Sequence, residues 1–216
     1  TLKSLGYLDN TLLIIFSDNG ASAEDVSTRG LNQPDVMIGD RGSYLSYGRD
    51  WATVSNTPFR GHKGSTLEGG IRSPLILHWP EGLSAHNVID TESVVDVKDI
   101  YPTILNLVGA KAKNNLPGED VTRLLQGKTF KRTNPLFWEH TGWRGVRVGN
   151  WKAVFNPHKG KWALYDVVRD PTERKDLSAD HPNIIQTLSR QWQAWSDAVG
   201  TEGFDFELWR SYFRGR

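Results

Sequence analysis

An unbroken apolar run, Leu12–Phe16, stops at Ser17-Asp18-Asn19-Gly20 near the start of the chain. The run does not alternate with polar residues, so it predicts a strand buried on both faces. Such strands belong to α/β sheets, whose ligands sit beyond the carboxyl ends of the strands. A second apolar triplet, Leu75-Ile76-Leu77, predicts another short buried strand, ended by Pro80. Residues 96–108 then carry Ile100, Ile104 and Leu107 at helical spacing, with Leu105 and Val108 beside them. Asp99 fits the N-cap, Pro102 the first turn and Gly109 the stop. This alternation of strands and helix suits an α/β layer. Between Ala21 and Trp51 no period of 2 or 3.6 is sustained. That stretch reads as a long loop, either part of a functional rim or an inconsequential insertion.

The pattern changes after a polar passage, 111–134, that contains Pro117-Gly118 and GKTFKRTN. Short strands are expected at Leu136–His140, Gly145–Val148, Lys152–Phe155 and Trp162–Tyr165. Gly149-Asn150, Asn156-Pro157 and Lys159-Gly160 separate them, and Asp170-Pro171 follows the last. From Asn183 to Val199, Ile184, Leu188, Trp192 and Trp195 mark one face of a helix. The expectation is an antiparallel sheet with one packed helix, and a domain boundary near residue 131.

Composition narrows this picture a little. At 216 residues the chain suits one domain or a domain with an appendage, and a formal charge of +1 gives no nucleic-acid footprint. No apolar run approaches the ~20 residues needed to span a bilayer. There is no cysteine, so a disulfide framework is excluded, although the compartment is not. The opening TLKSLGYLDN reads as a helix end feeding a strand, so the chain is expected to be a portion of something longer. The nine tryptophans are spread over helix and strand positions, which favours packing over sugar stacking. Trp51 and Trp143 remain as candidate rim contacts.

The chemistry gathers at two places. Asp18 and Asn19 offer a carboxylate beside an amide carbonyl, oxygen donors that suit Ca²⁺ or Mg²⁺. Asp-Asn-Gly is equally ordinary turn chemistry, and both readings stand on the local residues. Downstream, NTPFRGHKGSTLEGGIRSPLILHWP occupies residues 56–80. Together with SDNG it resembles the sulfatase family of the alkaline-phosphatase-like superfamily. That family follows an Asp-Asn metal pair with N-T-P-F-R-x-x-K and then E-G-G-I-x-x-P. The matches here are Asn56, Thr57, Pro58, Phe59, Arg60 and Lys63, then Glu68, Gly69, Gly70, Ile71 and Pro74. The resemblance continues through YGRDWATVSNTPFR, DIYPTIL, FWEHTGWRGVRVGNWKAVF and WALYDVVRDPTERKDL, and so covers nearly the whole chain.

The resemblance implies an α/β fold: the C-terminal part of an alkaline-phosphatase-like sandwich over residues 1–130, and a small antiparallel-sheet subdomain with one packed helix over 131–216. It implies sulfate ester hydrolysis with a divalent cation, Ca²⁺ or else Mg²⁺. Asp18 and Asn19 correspond to the second metal-binding pair and Lys63 to the lysine that contacts sulfate. His140 either contacts the leaving group or is a hydrogen-bonded structural residue. His62 is read as rim or structural, and Arg60 as tying its loop to a carboxylate. Gly69-Gly70 is read as a backbone needing unusual dihedrals or close approach. Asp96 stands where relatives carry a His, so that position carries no assigned role.

The family's nucleophile, a formylglycine made within C/S-x-P-x-R, has no counterpart in this sequence. The isolated chain is therefore expected to be inactive, with the N-terminal portion of the same enzyme as its partner. The implied substrate is a sulfated small molecule or carbohydrate, and the family suggests a periplasmic or secreted location. Two alternatives are a phosphodiesterase or phosphonate hydrolase of the same superfamily, and a non-catalytic homologue that binds sulfated glycan.

Overall fold

The computed structural model describes residues 1–25, 33 and 35–201. In chain order its elements are β1 (Leu13–Phe16), α1 (Gly48–Asn56), α2 (Glu68–Ile71), β2 (Leu75–His78), α3 (Ile100–Leu107), α4 (Thr122–Leu125), β3 (Leu136–His140), β4 (Trp143–Val148), β5 (Trp151–Asn156), β6 (Lys161–Asp166) and α5 (Pro182–Val199). Contacts divide the chain into two compact units. One is formed by Thr1–Asp18 with Pro74–Leu136, the other by Asn19–Ser73 with Phe137–Arg216. These units are interleaved along the sequence, with breaks at 18/19, 73/74 and 136/137. The chain passes between the units repeatedly, which a composition shift along the sequence does not register.

In the first unit β1 and β2 pair antiparallel, with Leu13 opposite His78 and Phe16 opposite Leu75. Ile14, Leu75 and Leu77 line a small cavity of about 30 Å³ with Val95, Ile100, Thr103, Val121 and Leu125. The opposite face of the ribbon is bare, with Ile15 56% and Ile76 55% exposed. Phe16, at the ribbon's end, is 42% exposed. Within this chain α3 and α4 supply one covering layer, so the expected burial on both faces is met on one face. An apolar run reports compatibility with burial, and the covering layer is a separate matter.

Helix α3 follows a 3-10 turn at Val97–Asp99, close to the predicted 96–108. Asp96 is the N-cap of that turn: its carboxylate accepts from Lys98 N, while its own N–H donates to Asp99. This reciprocal capping box gives Asp96 a structural role. Asp99 occupies the N-cap position of α3 as expected, although its side chain makes no capping hydrogen bond there. It is fully buried and accepts from Asp96 N at 2.7 Å, from Glu119 N at 2.8 Å and from the Arg132 guanidinium. A buried carboxylate needs such partners, and here they tie three distant segments together.

The second unit contains the β-meander, in the order β3-β4-β5-β6. Strand β3 has its predicted limits, and α5 begins one residue before its predicted start. Pairing places Val146 opposite Ala153 and Ala153 opposite Leu164, so these side chains share one face. All are fully buried under Leu188 and Trp192 of α5, with Ile184 and Trp195 at the margin. Full burial of each such large side chain contributes about 1.5–3 kcal/mol. The other face carries Val154, Tyr165 and Val167, against which Leu67 and Trp143 pack. Trp143 is therefore half-buried packing, a correction to its reading as a rim contact, whereas Trp51 is 64% exposed.

Helix α1 lies partly inside the tract read as a loop, 21–51, and corrects that reading over Gly48–Trp51. Its short sequence GRDWATVSN carries too few turns to display a period. Residues 26–32 and 34 of the tract, and Trp209, lie outside the described residues.

Candidate active site

The site is built where SDNG passes EGGI. Gly20 N donates to Gly70 O at 2.9 Å, and Lys63 N donates to Ala21 O at 3.0 Å. Asn56 pins the same crossing from the end of α1. Its Oδ1 accepts from Ala21 N at 2.8 Å, and its Nδ2 donates to Gly61 O at 3.0 Å. This explains the glycines of both motifs. A Cβ on Gly20 would lie 1.8 Å from Gly69 O, one on Gly69 2.5 Å from Gly61 O, and one on Gly70 2.2 Å from Ser65 O. Gly69 and Gly70 sit in the helical turn α2 with no positive φ, so close backbone approach is their reason and unusual dihedrals are not.

That crossing brings Asn19 and Lys63 into one backbone network. Asn19 is half-buried and its Nδ2 donates to Gly20 O at 2.9 Å. Lys63 is exposed, and its ammonium makes no hydrogen bond or ion pair among the described residues. His140 joins them from the end of β3, just before the Thr141-Gly142 turn, where both residues have positive φ. A Cβ on Gly64 would lie 3.7 Å from His140 Cδ2 and 3.8 Å from its Nε2, so the imidazole borders the lysine loop. It too is exposed and unpaired among the described residues. Asp18 is the last residue of the first unit, exposed, with no partner for its carboxylate among the described residues.

Two neighbouring residues have side-chain partners of their own. His62 Nε2 lies 3.0 Å from Thr53 Oγ1, and burial, followed by Arg49, holds its pKa below the usual imidazole value. Arg60 donates to the Tyr165 hydroxyl at 3.1 Å; the carboxylate partner expected for it is corrected to a phenol. Burial pushes the Tyr165 phenol up, against the opposing effect of that guanidinium.

No local pattern points to the ion cluster that holds α2. Lys152 of β5 is fully buried, with its Nζ 2.7 Å from Glu68 Oε1 and 2.9 Å from Glu173 Oε1. Glu173 Oε2 also accepts from Glu68 N at 2.7 Å. Burial alone would raise both carboxyls. For Glu68 the Lys152 ammonium, with Arg147 and Arg72, outweighs it and the pKa falls; for Glu173 burial prevails and the pKa rises. Thr66 Oγ1 adds a bond to Arg144 O at 3.0 Å, in space left by Gly145. The loop is thus fastened to β4, β5 and β6. The only available signal for Lys152 was its alternation with Ala153, which reads equally well as a solvent-facing lysine.

As a metal centre, Asp18 and Asn19 offer hard oxygen donors, and the unengaged Asp18 carboxylate fits a Ca²⁺ or Mg²⁺ ligand. Among the described residues no group of three or more His, Cys, Asp and Glu could enclose an ion.

Residues 1–110 match the family model described as Sulfatase, and residues 62–197 that described as N-sulphoglucosamine sulphohydrolase, C-terminal. The chain belongs to the sulfatase family. It is 34% identical to an uncharacterised sulfatase of Schizosaccharomyces pombe over 92% of this chain and 40% of that protein. To the steryl-sulfatase of Homo sapiens it is 27% identical, over 89% of this chain and 36% of that protein. Among solved structures, Ps i-CgsB in complex with k-i-k-neocarrahexaose superposes with a TM-score of 0.65 at 26% identity, covering 90% of this chain and 38% of that one. The chain spans about two-fifths of the length of the relatives it matches. Its fold corresponds to the C-terminal part of the alkaline-phosphatase-like α/β architecture, with the antiparallel sheet and its packed helix. No helix among the described residues is long and apolar enough to cross a membrane.

Proposed function

We propose that this chain forms part of a sulfuric ester hydrolase of arylsulfatase type. The observation that carries the reading is the backbone crossing of SDNG and EGGI, which sets Asn19 beside the loop of an unengaged Lys63, with His140 at the loop's edge. In this reading Lys63 binds a non-bridging sulfate oxygen and neutralises charge that grows during S–O cleavage. A compact ammonium suits a tetrahedral anion. His140 contacts the leaving-group oxygen. Asp18 and Asn19 hold a divalent cation, Ca²⁺ or Mg²⁺, which when bound supplies Lewis-acid stabilisation to the sulfate.

The nucleophile, a formylglycine, comes from an N-terminal portion that bears the C/S-x-P-x-R motif, which this sequence lacks. By itself the 216-residue chain is catalytically silent. Residues 1–130 then complete the catalytic domain and 131–216 form its small subdomain. The substrate class is a sulfated small molecule or carbohydrate; the complex of Ps i-CgsB with a neocarrahexaose supports the carbohydrate. A periplasmic or secreted location follows from the family reading.

The test compares turnover of an aryl sulfate, a phosphate diester and a phosphonate ester by the enzyme assembled from this chain and the formylglycine-bearing portion. Cation-dependent preference for sulfate, abolished by Asp18→Asn, is expected. Preference for the phosphorus esters would move the assignment to the phosphodiesterase and phosphonate hydrolase class. Binding of a sulfated glycan without hydrolysis would make the protein a lectin-like homologue.

A further inference from the structure

Lys63 lies on a loop that leads into α2, and α2 is fastened to the sheet through Glu68. The strand residue directly beneath it is a lysine with no exposure, enclosed by Glu68, Glu173 and the Trp138 ring, whose centroid is 5.7 Å from Nζ. Two carboxylates share this one ammonium; Arg72 lies 3.5 Å from Glu68 Oε2, and Arg147 also acts on that carboxylate. An arrangement of this kind is poor evidence of stability, since well-packed apolar residues serve a core as well or better. Its specific result is geometric. Glu173 Oε2 takes the N–H of Glu68 while Lys152 takes its carboxylate, so both ends of one residue in α2 are fixed. Glu68 is followed by Gly69 and Gly70, whose carbonyl contacts set the path of Arg60–Ser65 and of Gly20. Glu173 does this from a left-handed backbone, φ 53°, a conformation that persists for such a residue only where its surroundings over-determine it.

We infer that Lys152 and Glu173 are positioning residues for Lys63, clamping α2 onto β5 so that the loop holds its ammonium at the sulfate site beside His140. The inference rests on the reading of Lys63 as the sulfate contact. Neither residue touches substrate; each acts through Glu68 and the glycine pair.

The test is steady-state kinetics on an aryl sulfate with the assembled enzyme, normalised to folded protein by near-ultraviolet circular dichroism. Lys63→Ala is run beside Glu173→Ala, Glu173→Gln and Lys152→Met. Glu173→Ala and Lys152→Met should lower kcat by about 10- to 100-fold with KM changed less than about threefold, because misplacement of about 1 Å weakens transition-state contacts more than ground-state binding. Glu173→Gln should retain most of the kcat, since its amide oxygen still accepts from Glu68 N. Where a single variant fails to fold, the double variant Lys152→Met/Glu173→Gln leaves Glu68 to Arg147 and Arg72 and carries the expectation of Lys152→Met for kcat. Unchanged kcat per folded enzyme in these variants, with Lys63→Ala impaired, would overturn the inference and leave the function intact. An unimpaired Lys63→Ala would instead overturn the reading on which it rests.

Discussion

Substituting Gly20 by alanine probes the joint between the two motifs. The added methyl would sit 1.8 Å from Gly69 O and 2.8 Å from Gly69 C, both backbone atoms that cannot rotate away. Cβ atoms essentially never come within 3.0 Å of such neighbours, so the two segments must part by about 1 Å or more. Parting them strains the bond from Gly20 N to Gly70 O and the bond from Lys63 N to Ala21 O. Two weakened hydrogen bonds at about 0.5–1.5 kcal/mol each, with an overpacking penalty of about 1–3 kcal/mol, give a loss of about 2–6 kcal/mol. The displacement also moves Asn19 relative to Lys63, and a shift of about 1 Å lowers activity by about 100-fold. Denaturant unfolding of Gly20→Ala checks the first figure and aryl sulfate turnover by the assembled enzyme the second. A variant within about 0.5 kcal/mol of the parent, with unchanged turnover, would refute the claim that contact between these glycines builds the site.

Other substitutions test the scaffold. Leu188→Ala, which empties a position 4% exposed between α5 and the sheet, should destabilise by about 2–5 kcal/mol in thermal or denaturant unfolding. Asp170→Ala removes the acceptor of Arg174 N, Lys175 N and Thr172 Oγ1. Burial of Asp170 is outweighed by these bonds, so its pKa lies below the ordinary aspartate value and its stabilisation is complete above the unfolded pKa of about 3.9. The variant should therefore be about 1–2 kcal/mol less stable at pH 7, with the gap narrowing as pH falls through the folded value. A gap that is constant down to about pH 2 would contradict this sign.

What the sequence revealed followed from locality. The limits of β3 and α5 were legible because turn-formers and a helical stripe are written within a few residues of the elements they define. Helix α1 was hidden by its brevity, and the exposure of Ile15 and Ile76 by the fact that apolarity says nothing of what covers a strand. In the site, Asn19, Lys63 and the paired glycines stood out as motifs. Lys152 did not, because its partner Glu68 lies 84 residues away, and Glu173 meets Glu68 N across 105. A carboxylate is the expected partner for Arg60, whereas the fold offers it Tyr165. Such pairings are set by strand register and loop path, which no local pattern records.

The most direct measurement is kcat/KM for an aryl sulfate with Lys63→Ala in the assembled enzyme. Removal of an exposed ammonium that has no partner among the described residues should leave the unfolding transition unchanged. The account expects kcat/KM to fall by about 10²–10³, the loss typical of deleting one group that stabilises transition-state charge. An unaltered kcat/KM would show that this lysine does not meet the sulfate.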